Sequence, residues 1–276
     1  MKFFAIGDGH KRVSLPDRYL YEIAADGTAI FWVPKQVDIP IRVSCLTIQP
    51  NDEKEDEAGF WAVINKANAA KQKTKIEGDK AIYRYREAST EDKDITVFYE
   101  IGMGNALVIV TVTVDKEHEE SAIFTQVMGE VDTMIASIKS RDEEEVFVCE
   151  LTGSDHDEIR EYSEEIRTPD EPLDSDQIQV HYDRALSSKD MELGAKVGLS
   201  FGEFLRSEIP QFQWHLTVDD WGCARSLNFG DSGISVFPEN MILKRIEAGE
   251  SLSIEELASD TIQTVEDVFR DNPPEG

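Results

Sequence analysis

The sequence predicts an α+β protein of two domains, each an antiparallel sheet packed against helices. The chain has 276 residues, whereas a single domain typically has about 150. Its apolar residues switch repeatedly between the two-residue period of strands and the 3.6-residue period of helices. A block of negative charge, with 15 acidic and 2 basic residues in residues 142–176, separates two stretches of this kind. The 40% of hydrophobic residues suffices for two cores, so wholesale disorder is not expected.

The first domain is predicted over residues 1–141, as strands, a helix, more strands and a long helix. Asp26-Gly27 is typical of a hairpin turn, and residues 56–71 have a helical pattern. Residues 118–139 carry one continuous apolar stripe at helical spacing. A long helix lying across an antiparallel sheet buries both apolar surfaces. The predicted strands are 13–15, 19–24, 29–33, 41–48, 75–76, 81–86, 95–101 and 107–114.

Two motifs of this domain give a family resemblance. The opening Val13-Ser14-Leu15-Pro16-Asp17, the order of elements and the closing Met134-Ile135-Ala136-Ser137-Ile138 are similar to the PsbP-like domain over residues 1–140. That resemblance implies a protein-binding scaffold without catalytic residues. A resemblance of fold alone does not identify a reaction.

Residues 142–175 are predicted to be an acidic linker between the domains. A block of like charges repels itself and buries little surface, so it favours an extended chain. One short strand at 146–149 and a helical turn are the local structure expected there.

The second domain is predicted over residues 176–276, with two helices, three strands and two further helices. Pro238 suits the first position of the third helix and Gly249 its end. Ser253-Ile254-Glu255-Glu256 has the spacing of a capping box that opens the last helix. The other elements are predicted helices at 176–186 and 189–207 and strands at 213–218, 224–229 and 233–237.

Segments of this second domain also resemble known sequences. Leu193-Gly194-Ala195-Lys196-Val197-Gly198, Gln213-Trp214 and Val236-Phe237-Pro238 are similar to a small domain of unknown function from bacterial proteins. A looser likeness is to bacterial toxin-immunity domains. Neither resemblance implies an active site.

Three glycines recur every four residues in the second predicted helix of this domain, at Gly194, Gly198 and Gly202. Each costs about 0.8–1 kcal/mol relative to alanine in a helix interior, so close approach of a bulky neighbour is the expected reason. We expect that neighbour to be the three-strand sheet, with Trp214 filling the groove. The alternative is a surface ridge that contacts a partner helix or a second copy of the chain.

No catalytic, cofactor or metal residues are predicted. Gly230-Asp231-Ser232-Gly233 resembles the nucleophile segment of trypsin-like serine proteases, but the histidine motif of that family is absent. The string falls between two predicted strands, where it is typical of a tight turn. The five histidines are scattered, and the three cysteines (Cys45, Cys149 and Cys223) lack the spacing of a zinc site or a disulfide framework.

The net charge of −28, with a pI near 4.4, argues against nucleic acid and anionic membranes as partners, since both are bound mainly through Lys and Arg. No run approaches the ~20 apolar residues of a membrane helix. The short apolar run at residues 3–6 does not suit a signal peptide. Free thiols fit a cytoplasmic location.

Two surfaces are candidates for interaction. Trp214, Asp219, Asp220 and Trp221 lie together in the sequence, and an exposed Trp is a common interface anchor, although large aromatics are usually buried. A basic cluster in the first domain could bind an acidic segment, or it could simply be a solvated edge. Its members are Lys66, Lys71, Lys73, Lys75, Lys80, Arg84 and Arg86.

The leading functional hypothesis is a non-enzymatic binding or adaptor protein of bacterial type. It would engage another, basic protein, as an immunity or inhibitor protein does, because acidity speeds such an encounter. The alternative is a hydrolase-type enzyme with a carboxylate site in the second domain, for which Asp219 and Asp220 are the candidates. A cleft holding a carboxyl group with a raised pKa would favour the enzyme. The sequence predicts neither the partner nor the oligomeric state.

Overall fold

The computed structural model describes residues 1–7, 9–48, 57–88, 93–142, 145–230 and 232–271. The chain divides into two compact units, Met1–Glu145 and Val146–Gly276. Each contains antiparallel sheet packed against helices, which confirms the predicted α+β class.

The first unit has a seven-stranded and a three-stranded sheet. The strand order of the larger sheet is β3-β4-β5-β9-β8-β7-β6, and that of the smaller is β1-β2-β10. The strands are β1 Lys2–Ile6, β2 Lys11–Leu15, β3 Leu20–Ile23, β4 Ala29–Trp32, β5 Ile41–Thr47, β6 Lys75–Glu77, β7 Lys80–Ala88, β8 Asp94–Met103, β9 Ala106–Asp115 and β10 Lys139–Ser140.

Two helices, α1 (Ala58–Ala69) and α2 (Ala122–Ser137), pack on opposite faces of the larger sheet. Neighbouring residues of β8 point to the two faces. The Tyr99 hydroxyl donates to Asp132 of α2 at 3.0 Å, whereas the buried Glu100 pairs with Lys66 of α1. The main core lies on the α2 side, where the apolar stripe of that helix meets alternate residues of the strands.

The structure confirms all eight strands and both helices predicted for this unit, to within their ends. The Asp26-Gly27 turn is also present, with Gly27 at φ +80°. Strand β1 was not predicted, because Phe4, Ala5 and Ile6 are all buried and a run without alternation carries no strand period.

The second unit is one four-stranded sheet, in the order β11-β12-β13-β14, packed against helices. Its strands are β11 Phe147–Cys149, β12 Phe212–Asp219, β13 Gly222–Phe229 and β14 Ser235–Val236. Its helices are α3 Gly153–Ile166, α4 Ser175–Ser188, α5 Met191–Glu208, α6 Pro238–Ala248 and α7 Ile254–Asp271. Pro238 begins α6, Gly249 caps it at φ +72°, and the Ser253 hydroxyl accepts from the Glu256 N–H, all as predicted.

The predicted linker at residues 142–175 differs from what the structure shows. The strand expected there is β11, which pairs with β12, but the expected helical turn is the 14-residue helix α3. Ile159 and Ile166 of α3 are buried in the core of the second unit. Two isoleucines seven residues apart lie on one face of a helix, so this acidic segment packs through a narrow apolar stripe.

The three glycines of α5 face internal neighbours, as predicted, although the neighbour is chiefly α6 rather than the sheet. A Cβ on Gly194 would lie 2.7 Å from Cδ1 of Ile246, and one on Gly198 would lie 2.5 Å from Cα of Glu239. Gly202 faces the indole ring of Trp214. Only glycine lets the two helix backbones approach this closely.

Candidate functional site

The β12–β13 hairpin ends in a tight turn that holds three of the predicted interaction residues. Asp219 of β12 pairs with Gly222 of β13, so Asp220 and Trp221 form the loop. The Asp219 Oδ1 atom accepts a hydrogen bond from the Trp221 N–H at 2.8 Å. Gly222 has φ +123°, which side-chain-bearing residues rarely adopt. The sequence therefore builds a defined turn at this point.

Trp221 projects from this turn with 97% of its surface exposed. Such exposure is unusual, because an indole ring carries a large apolar area that folding ordinarily buries. Asp219 is half-buried and Asp220 is exposed beside it. An apolar ring thus follows two consecutive acidic residues at the end of a regular hairpin.

Trp214 does not belong to this surface. Its side chain is only 8% exposed and lies in the core of the second unit. Its indole N–H donates to Oε1 of Glu203 at 2.6 Å. Strand alternation puts Trp214 on the face that α5 covers, so the predicted site reduces to Asp219, Asp220 and Trp221.

The serine of Gly230-Asp231-Ser232-Gly233 is part of the turn between β13 and β14. The Ser232 hydroxyl donates to the Phe229 carbonyl at 2.6 Å and accepts from the Ile234 N–H at 3.2 Å. Asp231 lies outside the described residues. The Ser232 hydroxyl thus both donates to and accepts from the local backbone, as is typical of a turn.

The basic cluster of the first unit does not form one positive surface. The buried Lys80 donates to the carbonyl oxygens of Ile135 and Ala136, at 3.3 and 2.8 Å. These carbonyls lie at the C-terminal end of α2, where the helix dipole stabilises a cation. Lys66 pairs with Glu100 and Arg86 with Glu119. Lys75 also pairs with Glu77, so three of the seven basic residues have a carboxylate partner and a fourth, Lys80, is buried.

A charged cluster that sequence reasoning missed lies on the helix-covered side of β13. Nε of Arg225 pairs with Oδ1 of Asp155 at 3.0 Å, and its guanidinium also pairs with Glu158; both acids are on α3. Glu239, in the first turn of α6, is the third acid of the cluster. Burial raises the pKa of the Glu239 carboxyl, Arg225 lowers it, and Glu158 and Asp155 raise it further. A signal for the cluster existed, since strand alternation places Arg225 on the same inward face as Leu227.

The second unit has two notable cavities. One, of about 410 Å³, lies among α3, α4 and α5 and contains His181, whose pKa is lowered by burial. The other, of about 570 Å³, lies between α6 and α7. Glu239 and the hairpin turn line neither cavity.

Within the described ranges, no three His, Cys, Asp or Glu side chains are grouped so as to hold a metal ion. In the same ranges, no helix combines the length and the apolar character needed to cross a bilayer.

Comparison with known proteins links this chain to a domain rather than to an activity. Residues 174–257 match the family described as a domain of unknown function, DUF3806. The match runs from α4 to the beginning of α7, so it includes the glycine-bearing helix and the β12–β13 hairpin. No curated protein sequence matches the chain.

Two of the solved structures that match the chain bear on its fold. A crystal structure from Bacteroides thetaiotaomicron VPI-5482 has a TM-score of 0.69 at 16% sequence identity, covering 95% of this chain and 98% of its own. The solution structure of cyanobacterial PsbP (CyanoP) from Synechocystis sp. PCC 6803 has a TM-score of 0.27 at 12% identity, covering 51% of this chain and 92% of its own. The first similarity shows a shared fold, whereas the second is too low to support the PsbP-like assignment. The expected domain of unknown function in the second unit is confirmed.

Proposed function

We propose that this protein binds another protein through the turn of the β12–β13 hairpin, with Trp221 as the anchor. The observation that supports this most is the 97% exposure of Trp221 on a hydrogen-bonded turn. Trp is enriched among the residues that dominate interface energies, and truncating such an anchor costs about 2 kcal/mol or more. The hairpin backbone is already ordered before binding, so little backbone entropy is lost when a partner binds.

The partner of this proposal presents a basic surface around an apolar recess that accepts the indole ring. Residues 146–276 contain 29 acidic and 10 basic residues, and Asp219 and Asp220 directly precede the anchor. A field of one sign steers an oppositely charged partner and raises the association rate. An immunity or inhibitor protein is the form of this role that the acidity favours.

The proposal places the protein in the cytoplasm, where its three cysteines would stay reduced.

The alternative, a carboxylate enzyme, rests on the raised pKa of Glu239. It is the weaker hypothesis, because Asp219 and Asp220 stand on an exposed turn and Glu239 lines neither cavity of this unit. An acid that catalyses hydrolysis needs to reach a bound substrate.

Affinity capture from the native cell extract tests the proposal. Trp221→Ala should lose at least nine-tenths of a basic partner that the unchanged chain retains, and moderate salt should weaken that retention. Trp61→Ala is the matched control, because Trp61 is a 52% exposed tryptophan on α1 in the other unit. A photoreactive phenylalanine analogue at position 221 should cross-link the same partner.

Equal capture by Trp221→Ala and the unchanged chain would contradict the proposal. The proposal would also be contradicted if Trp61→Ala lost as much of the captured partner as Trp221→Ala does.

A further inference from the structure

We propose that the groove between α6 and α7 binds a small amphipathic carboxylate, with its apolar chain in the groove and its charged head at Lys244 and Arg245. This inference goes beyond the proposed protein binding and uses none of the residues of the hairpin turn.

The groove has the size and lining of a small-molecule site. Its volume is about 570 Å³, and such sites usually measure about 300–1,000 Å³ with mainly apolar walls. Helices α6 and α7 form two walls and β14 contributes to a third. The apolar side chains that define it include Ile234, Val236, Phe237, Met241, Val265 and Val268.

Part of this apolar lining is left in contact with solvent. Val268 of α7 is 41% exposed, while Val265, one turn earlier, is buried. Phe237 and Met241 are half-buried. An apolar chain laid in the groove would remove this surface from water, which is favourable in proportion to the area covered.

The charge of the groove is opposite to that of its surroundings. Residues 146–276 carry an excess of 19 acidic residues, yet the groove is lined by Lys244, Arg245 and a single acid, Asp260. Five other basic residues of the unit have acidic partners, for example Lys196 with Glu165 at 2.7 Å. Among the described residues, Lys244 and Arg245 have no carboxylate within 4.0 Å.

These charges favour one negative charge on the occupant. Arg245 donates from Nη1 to the Met241 carbonyl at 2.8 Å, which holds its guanidinium against α6. The groove is lined by two cations, Lys244 and Arg245, and one anion, Asp260, so its net charge is suited to a ligand with a single negative charge. A second negative charge on the ligand would be repelled by Asp260. A small molecule fits better than a protein, because a stable protein interface buries about 800 Å² on each partner.

Isothermal titration of the full chain with decanoate tests the inference. We expect saturable binding of one decanoate per chain, at least tenfold weaker binding of decanol, and no binding of decylammonium. Lys244→Glu should weaken decanoate binding by tenfold or more, since a charge-assisted contact is replaced by repulsion. Val268→Asp should weaken it by at least as much.

Two matched variants are the controls. Lys189→Glu changes another exposed lysine, and Val180→Asp changes a valine that is 68% exposed on α4; neither lines the groove. Both should bind decanoate within twofold of the unchanged chain. Lys244 is exposed, so its variant provides the test even if Val268→Asp unfolds.

Several results would overturn the inference. They are the absence of saturable binding, equal affinity for decanol and decanoate, and unchanged decanoate binding by Lys244→Glu. Binding of an apolar peptide with a free C-terminal carboxylate, in the absence of decanoate binding, would assign the groove to a protein segment instead.

Discussion

At the scale of single residues, Arg225 shows how one inward-facing charge organises its surroundings. An unpaired guanidinium in a half-buried position would lose its hydration without compensation. Asp155 and Glu158 on α3 provide that compensation, so the ion pairs tie α3 to the sheet. Glu239 is a third acid beside a single cation. Burial is the main reason that its ionisation is disfavoured, and the charges of Glu158 and Asp155 add to that effect.

The raised pKa of Glu239 predicts a pH-dependent stability. Because the carboxyl binds its proton more tightly in the folded state, its ionised form destabilises the fold at neutral pH. That cost disappears as the pH falls below the ordinary value of a Glu carboxyl, about 4.3. Glu239→Gln should therefore raise Tm at pH 7, and the gain should vanish near pH 4.

Thermal unfolding of both proteins between pH 4 and 8 is the measurement. Glu247→Gln, at an exposed position of the same helix, corrects for the general benefit of removing one negative charge. A Glu239→Gln protein no more stable at pH 7 than Glu247→Gln would show that the carboxyl is not destabilising.

At the scale of elements, the packing of α5 against α6 depends on glycines that a helix would otherwise avoid. Gly198 lies against the backbone of α6 at Glu239. Backbone atoms cannot rotate away as a side chain can, so an added methyl group would push the two helices apart.

Gly198→Ala should therefore lower the free energy of unfolding by about 1–3 kcal/mol through overpacking, although alanine is the better helix former. Gly129→Ala is the matched control, since Gly129 lies on α2 with open space at its Cβ position. That control should gain about 1 kcal/mol from helix propensity alone. Denaturant titration of both variants measures the difference, and the same sign for both would refute the close-packing explanation.

At the scale of the whole molecule, negative charge does not mark the boundary between the units as the sequence predicts. The acidic segment after Glu145 belongs to the second unit. Helix α3 directs Ile159 and Ile166 into that core, while most of its acidic side chains face solvent. Like charges on one solvated face repel weakly in salt, so apolar burial determines the structure.

A chain restricted to residues 146–276 should consequently fold, whereas one restricted to 176–276 should not. The shorter chain lacks five buried apolar side chains, of which each Phe, Leu or Ile contributes about 1.5–3 kcal/mol, against a typical total stability of about 5–15 kcal/mol. These are Phe147, Cys149, Leu151, Ile159 and Ile166. Cooperative thermal unfolding by circular dichroism distinguishes the two chains, and a cooperative transition in the shorter one would restore the linker interpretation.

Local patterns in the sequence were enough to predict the fold class and nearly all helices and strands. Strand alternation, helical periodicity, the Asp26-Gly27 turn and the caps at Pro238 and Gly249 each act between residues that are close along the chain. The internal role of the α5 glycines was predictable for the same reason, because their cost to an isolated helix demands a close neighbour.

The candidate site depended on contacts between distant residues. Trp214 and Trp221 are equally apolar in the sequence, but one meets Gly202 of α5 and the other stands on a turn that no described element covers. The acids around Arg225 come from residues 155, 158 and 239, and the groove is lined by residues 234–245 and 257–268, which are separated in the sequence. Burial and charge pairing are set by which surfaces meet in three dimensions, and no local period in the sequence records that.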